Sequence, residues 1–268
     1  MNIRNIAKIA LVLFLGLLLW AARGIRNPES SIARAQEPSS YLPIIQYQDE
    51  ALLLLLHFDG PAGITLFQDN SGHEHHAMCH AAACPTKVER GLEFNGQSTY
   101  LMTSASVQGL SSFTLVGWYY ARSYEQAGKI PVVFHAPGAD CARVGLNIGG
   151  GYVKGPVLLV ADKDDCAPQE IVSVPDAPSL NEWHHIVVVF DSDTDIHVIY
   201  IDGVKAAENV FAIGPIANTV PGNPTTIGVN YSPRPYDQRW WDGYLDEIAL
   251  YGRALSAAEV EALYQGGQ

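Results

Sequence analysis

Residues 68–84, QDNSGHEHHAMCHAAAC, place four histidines and two cysteines within seventeen positions. Imidazole nitrogens and thiolate sulfurs are the ligands of tetrahedral zinc sites, so one interpretation of this segment is a transition-metal site. Zinc motifs usually place the cysteine pair before the histidines, and here most of the histidines come first. The sequence therefore favours a surface loop closed by a disulfide between Cys79 and Cys84, with exposed histidines, and a zinc site is the alternative.

The start of the chain has the pattern of a targeting segment. Arg4 and Lys8 precede residues 9–22, a run without charge that is shorter than the roughly 17–25 apolar residues of a membrane-spanning helix. The sequence Ala-Arg-Ala at residues 33–35 fits the small-residue pattern at which signal peptides are cleaved. We therefore interpret residues 1–35 as a signal peptide, with an uncleaved N-terminal anchor as the alternative.

The cysteines agree with export. An even number of cysteines in an exported chain favours disulfides, because the compartments outside the cytosol are oxidising. Besides Cys79 and Cys84 the chain contains Cys141 and Cys166, and four cysteines allow three connectivities. We expect the two local pairs, Cys79–Cys84 and Cys141–Cys166, in a protein that is secreted or held at the cell surface.

The charge balance is acidic. The formal net charge is −12, and loss of residues 1–35, which removes five positive charges and one negative charge, would change it to −16. Such a domain repels phosphate backbones and anionic lipids. We therefore expect no nucleic-acid partner and no membrane association beyond an N-terminal anchor.

Short strand-like runs dominate the chain after residues 36–50, which we interpret as a linker. The continuous apolar run at residues 51–58 is typical of a strand that is covered on both faces. Many short runs follow, rich in β-branched and aromatic residues and separated by Gly, Pro and Asp. This pattern predicts an all-β domain over residues 51–268, folded as a two-sheet antiparallel jelly-roll sandwich.

One helix is expected at the end of the chain. Ser256 and Glu259 have the spacing of a capping box, in which each side chain accepts a hydrogen bond from the backbone of the other residue. The glycines at 266 and 267 are typical of a helix end. We expect this short C-terminal helix to pack on the edge of the sandwich.

Six motifs follow one another along residues 51–265. The most specific are LNEWHHIVVVFD with the nearby VIYIDGV, and the closing stretch WDGYLDEIALYGRALSAAEVEALY. The others are LLHFDG at 55–60, DNSGHEHHA at 69–77, GLEFNGQSTYL at 91–101 and LSSFTLVGWYY at 110–120. Their order resembles that of the laminin-G-like jelly-roll domain family, in the concanavalin A-like lectin/glucanase superfamily. The resemblance implies the fold, whereas function depends on sites that differ within a fold.

The resemblance also implies a structural calcium ion at the rim of the sandwich. Asp59, Asp69 and Asp246 occupy the matching stretches, and Ca²⁺ binds six to eight oxygens from carboxylates, carbonyls and water. Asp59 follows the first strand and Asp246 lies in the last, so their carboxylates converge if those strands are neighbours. The alternative is that Asp246 binds the backbone and Asp59 only makes a turn.

A second candidate site lies in residues 230–242, NYSPRPYDQRWWD, which combine aromatic and polar side chains with two prolines. Stiff loops lose less entropy on binding, and sugars need aromatic faces beside polar groups. The resemblance places Trp241 in the core, so Trp240 is the expected exposed ring. The predicted ligand-binding residues are Trp240, Tyr231, Tyr236, Asn230 and Arg239. The alternative is that these aromatic rings pack on the base of their own loop.

The acidic residues are not spaced for glycoside hydrolysis. Glucanases of this superfamily carry E-x-D-x-x-E on one strand, which is not present here. Asp242 and Asp246 could share a strand face, but Glu247 would point to the opposite face. We therefore expect that the protein is not an enzyme. We expect a non-catalytic extracellular module that binds a carbohydrate or an extracellular protein through rim loops. The alternatives are a glycoside hydrolase of the glucanase-like jelly-roll type and a purely structural or adhesive surface protein.

Overall fold

A computed structural model describes residues 49–124, 132–137, 143–148, 155–161, 168–216, 224–230 and 239–267. The predicted signal peptide, nearly all of the predicted linker and the predicted Cys141–Cys166 disulfide lie outside these residues, as do Tyr231 and Tyr236. Among the described residues, no helix is long and apolar enough to cross a membrane.

The described residues form two antiparallel sheets and one α-helix. The strands are β1 (Leu52–Leu56), β2 (Leu66–Phe67), β3 (Ala77–Met78), β4 (Thr86–Lys87), β5 (Leu92–Asn95), β6 (Leu101–Thr103), β7 (Ser112–Ala121), β8 (Val132–Pro137), β9 (Arg143–Ile148), β10 (Pro156–Ala161), β11 (Pro168–Ser173), β12 (Trp183–Asp191), β13 (Ile196–Ile201), β14 (Val204–Val210), β15 (Thr225–Ile227) and β16 (Asp242–Tyr251). The helix is α1 (Ala257–Gly266). The predicted all-β, two-sheet jelly-roll sandwich with a short C-terminal helix is confirmed.

Strands far apart in the chain are neighbours in both sheets. Sheet A has the order β14-β13-β12-β7-β16-β5-β4, with β1 also paired to β16. Sheet B has the order β11-β10-β9-β8-β15-β6-β3-β2. The edge of β16 that faces away from β7 is shared, because its first half pairs with β5 and its second half with β1. A β-bulge in β16 lies where one partner replaces the other.

The main core lies between the two sheets, where alternate side chains of each strand meet. Its largest fully buried side chains include Trp241, Phe94, Phe113 and Phe190. Burial of such aromatic rings contributes several kcal/mol each, since roughly 25 cal/mol is gained per Å² of apolar surface removed from water. Trp241 is therefore a core residue, as predicted.

The helix covers the outer face of sheet A. Ser256 and Glu259 form the predicted capping box at its start. Val260 and Leu263 are buried in a second apolar cluster, against Val116 and Val187 of the sheet. The prediction that the helix packs on the sandwich edge is wrong in this respect. Strands such as β1 and β12 carry apolar residues on both faces, so the outer face also needs a cover.

The loop after β3 is closed by the predicted disulfide. Cys79 and Cys84 are bonded, with their Cα atoms 5.0 Å apart across a 3₁₀ turn at Ala81–Ala83. The zinc alternative is wrong for this pair, because a zinc ligand must be a reduced thiolate. Two of the histidines have hydrogen bonds instead: His76 Nδ1 accepts from the Asp69 backbone N–H at 3.1 Å, and His75 Nδ1 lies 2.9 Å from Ser104 Oγ.

Candidate functional site

Asp69, one of the three predicted calcium ligands, fastens its loop to β1. Its buried Oδ1 accepts hydrogen bonds from the backbone N–H groups of Leu55 and Ser71, both at 2.9 Å. Its Oδ2 accepts from Ser71 Oγ at 2.7 Å and from the His75 N–H at 2.9 Å. Burial alone would raise the pKa of Asp69, but these hydrogen bonds to the charged form outweigh burial and hold the pKa below its usual value. Both carboxylate oxygens are therefore engaged within the protein.

Asp246 and Glu247 are adjacent buried carboxylates at the bulge in β16. Glu247 has a φ of 49°, a left-handed conformation that a non-glycine residue adopts only at a cost. Asp246 Oδ2 accepts from Arg90 Nε at 3.4 Å, whereas Glu247 lies 2.8 Å from His57 Nδ1. The bulge therefore turns neighbouring carboxylates towards two different cationic partners.

The pKa values of both carboxylates are raised, in each case mainly by burial. Burial, followed by the charge of Glu247, raises the pKa of Asp246 to about 7, although Arg90 opposes the shift. Burial likewise raises the pKa of Glu247, against the hydrogen bond from His57. The charge of Asp59 raises both pKa values further, so Asp59 at the end of the first strand is electrostatically coupled to this pair. Asp246 Oδ1 is buried and has no hydrogen-bond partner among the described residues.

A compact metal cage is not present in the described ranges. No three His, Cys, Asp or Glu side chains there are grouped so that they could hold a metal ion. The charge of Asp59 acts on Asp246, whereas both carboxylate oxygens of Asp69 accept hydrogen bonds from Leu55, Ser71 and His75. Calcium at this place would depend on Asp59 and Asp246 together with backbone carbonyls and water.

Asn230 and Arg239, on either side of the predicted aromatic loop, are linked by two hydrogen bonds. The Asn230 N–H donates to the Arg239 carbonyl at 3.1 Å, and the Arg239 N–H donates to Asn230 Oδ1 at 2.6 Å. Val229 and Trp240 form an isolated bridge beside this pair. The Trp240 ring is partly exposed and meets Tyr100 edge-on, with 5.9 Å between ring centroids. Three of the predicted binding residues, Asn230, Arg239 and Trp240, are thus placed together.

The structure also brings together a cluster that the sequence did not identify. Tyr120, Trp183 and Tyr244 lie side by side on the outer face of sheet A, beyond the area covered by α1, and we call them the outer-face aromatic row. Trp183 is only partly buried in this row. Alternation along each strand shows which side chains share a face, but it does not show which strands are neighbours.

Two arginines complete this cluster. Arg90 lies between two indole rings, 4.5 Å from the Trp118 centroid and 4.7 Å from that of Trp183. Arg122 lies 5.3 Å from the Tyr244 ring centroid and is ion-paired with Glu93 and Asp242. Burial would lower the pKa of Arg122, but the hydrogen bonds that it donates to Glu93 and then to Asp242 raise the pKa well above its usual value. The arginine is therefore fully charged and fixed in place.

The two packed antiparallel sheets and the C-terminal helix define a jelly-roll sandwich domain. A laminin-G family profile, described as the concanavalin A-like lectin/glucanases superfamily, matches residues 95–261. The chain belongs to this superfamily. No curated protein matches the sequence at a significant level.

Several solved structures share the fold. Domain 4 of AbnA, a GH43 extracellular arabinanase from Geobacillus stearothermophilus in complex with arabinotriose, has a TM-score of 0.62 at 15% identity, covering 80% of this chain and 98% of that chain. The botulinum neurotoxin serotype G binding domain has a TM-score of 0.60 at 17% identity, covering 80% of this chain and 50% of that chain.

A further neurotoxin domain was solved with a protein receptor. The binding domain of botulinum neurotoxin DC, in complex with rat synaptotagmin II, has a TM-score of 0.58 at 11% identity and covers 81% of this chain and 52% of that chain. The alignments thus span about half the length of the two neurotoxin domains. At these identities the likeness shows the fold alone.

Proposed function

We propose that this protein is a secreted or cell-surface binding module that recognises a carbohydrate or a surface protein through loops at the rim of the sandwich. The observation that carries the proposal is the Trp240 ring, partly exposed and supported edge-on by Tyr100. Two hydrogen bonds between Asn230 and Arg239 lie next to this ring in the sequence. A preformed aromatic surface of this kind loses little entropy when a ligand binds.

The ion pairs in the described ranges support a non-catalytic function. A retaining or inverting glycosidase needs two carboxyl groups that face the substrate from either side of the scissile bond. Here Asp242 and Asp246 are ion-paired with Arg122 and Arg90, and Glu247 lies within hydrogen-bond distance of His57 Nδ1. Turnover of a polysaccharide by the purified protein would instead favour the glycoside hydrolase alternative.

Replacing Trp240 tests the rim proposal. The strongest ligand is first identified on an array of neutral and acidic oligosaccharides, and its affinity is then measured by isothermal titration calorimetry. Trp240→Ala is expected to weaken this affinity at least tenfold, equivalent to about 1.4 kcal/mol, because the stacking surface is lost.

The matched control is Leu66→Ala. It removes an apolar side chain of β2 that is 52% exposed. It should leave the affinity unchanged. Equal affinities of the wild-type protein and Trp240→Ala would exclude the rim site. An array without any bound sugar, together with self-association in solution, would favour a structural or adhesive protein.

Calcium binding is a separate proposal for Asp59 and Asp246. It is supported by the unpartnered Asp246 Oδ1 and by the raised pKa of Asp246, which burial and then the charges of Glu247 and Asp59 cause, since a divalent cation would stabilise the charged carboxylate. Calcium at 100 times its dissociation constant should raise the free energy of unfolding by about 2.7 kcal/mol. The melting temperature, measured with CaCl₂ and then with excess EDTA, checks this.

Asp59→Asn should abolish the calcium-dependent increase in melting temperature. Asp176→Asn, a change of the same charge at an exposed position, should retain it. The same melting temperature in calcium and in EDTA would show that this pair does not bind the ion.

A further inference from the structure

The outer-face aromatic row presents three rings on adjacent strands. Trp183 of β12 and Tyr244 of β16 both lie directly opposite Tyr120 of β7 in the strand register. The Tyr120 ring meets Trp183 at 5.7 Å and Tyr244 at 5.0 Å between centroids, in edge-on contacts. All three side chains are partly exposed. The sheet therefore holds each ring in position while part of the ring still reaches solvent.

The two arginines make this surface rigid. The Arg90 guanidinium is stacked against Trp183 and donates a hydrogen bond to the Gly267 carbonyl at 3.2 Å. The Arg122 guanidinium is stacked against Tyr244 and donates to the Phe94 carbonyl at 2.8 Å. Side chains that are already ordered lose little entropy on binding, so a surface built in this way is suited to recognition. Trp, Tyr and Arg are also the residues most enriched among those that dominate binding energy at interfaces.

Hydrogen-bonding groups border one end of the row. Glu93 of β5 lies directly opposite Tyr244, and Asp242 lies two residues before Tyr244 on the same strand. The side chains of Arg122, Glu93 and Asp242 are 30%, 33% and 28% exposed. A carboxylate accepts hydrogen bonds from sugar hydroxyl groups, and a guanidinium donates hydrogen bonds to the oxygens of those hydroxyl groups. The apolar C–H faces of a sugar ring pack on aromatic side chains.

We propose that the outer-face aromatic row, with Arg122, Glu93 and Asp242, is a second binding site and that its ligand is a neutral oligosaccharide. The charges favour a neutral ligand. Arg122 is paired with two carboxylates, so its positive charge is already balanced. The formal net charge of −12 adds long-range repulsion of anions. The site is formed by strands rather than by the rim loop, so it does not require that the rim binds a ligand.

The test uses variants that separate the two surfaces. Arabinotriose, xylotriose and cellotriose serve as neutral probes and trigalacturonic acid as the acidic one, each titrated into the full-length protein by calorimetry. In Trp240→Ala, which lacks the rim ring, neutral-trisaccharide binding at the outer-face site is expected to remain, and the further change Trp183→Ala is expected to weaken that remaining binding at least tenfold. Trp183→Phe, which keeps an aromatic ring at this position, should recover part of the affinity. Tyr244→Ala provides a second variant if Trp183→Ala does not fold.

The outcomes distinguish this site from the rim. Loss of all neutral-sugar binding in Trp240→Ala alone would overturn the second site and leave the rim proposal intact. Full affinity in Trp240→Ala combined with loss in Trp183→Ala would support the second site and contradict the rim. Neutral-sugar binding that is unchanged in folded Trp183→Ala and Tyr244→Ala would overturn the second site, as would a preference for trigalacturonic acid. Binding of a protein through this row, without any neutral sugar, would also overturn it.

Discussion

Lowering the pH from 7 to 4.5 is expected to destabilise the wild-type domain relative to a His185→Phe variant by about 2 kcal/mol. His185 is fully buried beside Trp118 and Tyr264, at 5.1 and 5.9 Å between ring centroids. Neither of its ring nitrogens has a hydrogen-bond partner among the described residues. Burial lowers the pKa of His185 to about 4, against the charge of Asp202.

The sign follows from the direction of that shift. The unfolded chain takes up a proton near pH 6.5, whereas the folded protein resists protonation until about pH 4. The stabilising contribution of neutral His185 is therefore present above pH 6.5 and is lost as the pH falls towards 4. Asp246, with its pKa raised to about 7, contributes in the opposite direction, since its contribution is lost as the pH rises through 7.

The difference in the free energy of unfolding between His185→Phe and wild type reports the contribution of His185, because the other titrating groups are the same in both proteins. Urea unfolding at pH 7, 6, 5 and 4.5 gives the free energy of unfolding for both proteins. Phe keeps the ring between Trp118 and Tyr264 but does not titrate. His73→Gln, at an exposed position, should follow the wild-type pH dependence. A constant difference between His185→Phe and wild type across this range would show that His185 is not held neutral by burial.

Gly91→Ala is expected to lower the free energy of unfolding by at least about 3 kcal/mol. Gly91 has a φ of 74°, which disfavours any residue with a Cβ. It also lies against β16, where an added Cβ would overlap the Leu245 carbonyl oxygen and approach Asp246 Cβ to 3.0 Å. The backbone would have to move beside Arg90, so we also expect loss of the Arg90 contacts with Asp246.

Gly63→Ala is the matched control for steric overlap. Gly63 has a φ of 83°, but an added Cβ would meet no atom within 4 Å. Its cost should be only about 1 kcal/mol, from backbone conformation alone. Chemical unfolding of both variants gives the comparison. Equal losses for the two variants would contradict a tight contact between Gly91 and β16.

Local features were predictable because their physical causes are local. The Ser256–Glu259 capping box is formed by groups three residues apart, and Asp202 and Gly203 adopt the positive φ values of a tight hairpin turn between β13 and β14. The Cys79–Cys84 disulfide closes a loop with a sequence separation of only five residues. In each case the interacting groups are close in the chain, so residue type and spacing were sufficient.

Interactions between distant segments were predicted less well. Asp69 lies in the expected loop, but its hydrogen bond to the Leu55 N–H depends on how that loop returns to β1. The side chain of Trp183 points to the outer face of sheet A, and residues of the same strand that point to the inner face are in the core. The exposed fraction of Trp183 depends on how much of the outer face α1 covers. The pairing of Glu247 with His57 joins residues 190 positions apart and requires the β1–β16 register.

Residue patterns and short-range spacing were enough to predict the fold class and the helix start and to favour the Cys79–Cys84 disulfide, and the family resemblance placed Trp241 in the core. That Arg90, Tyr120, Trp183 and Tyr244 form one surface is visible only once the strands are assembled. Their strands are adjacent because β16 returns from the end of the chain to pair with β7 and β5. Strand order depends on long-range pairing of backbone groups that all residues share, so it has no local signature in the sequence.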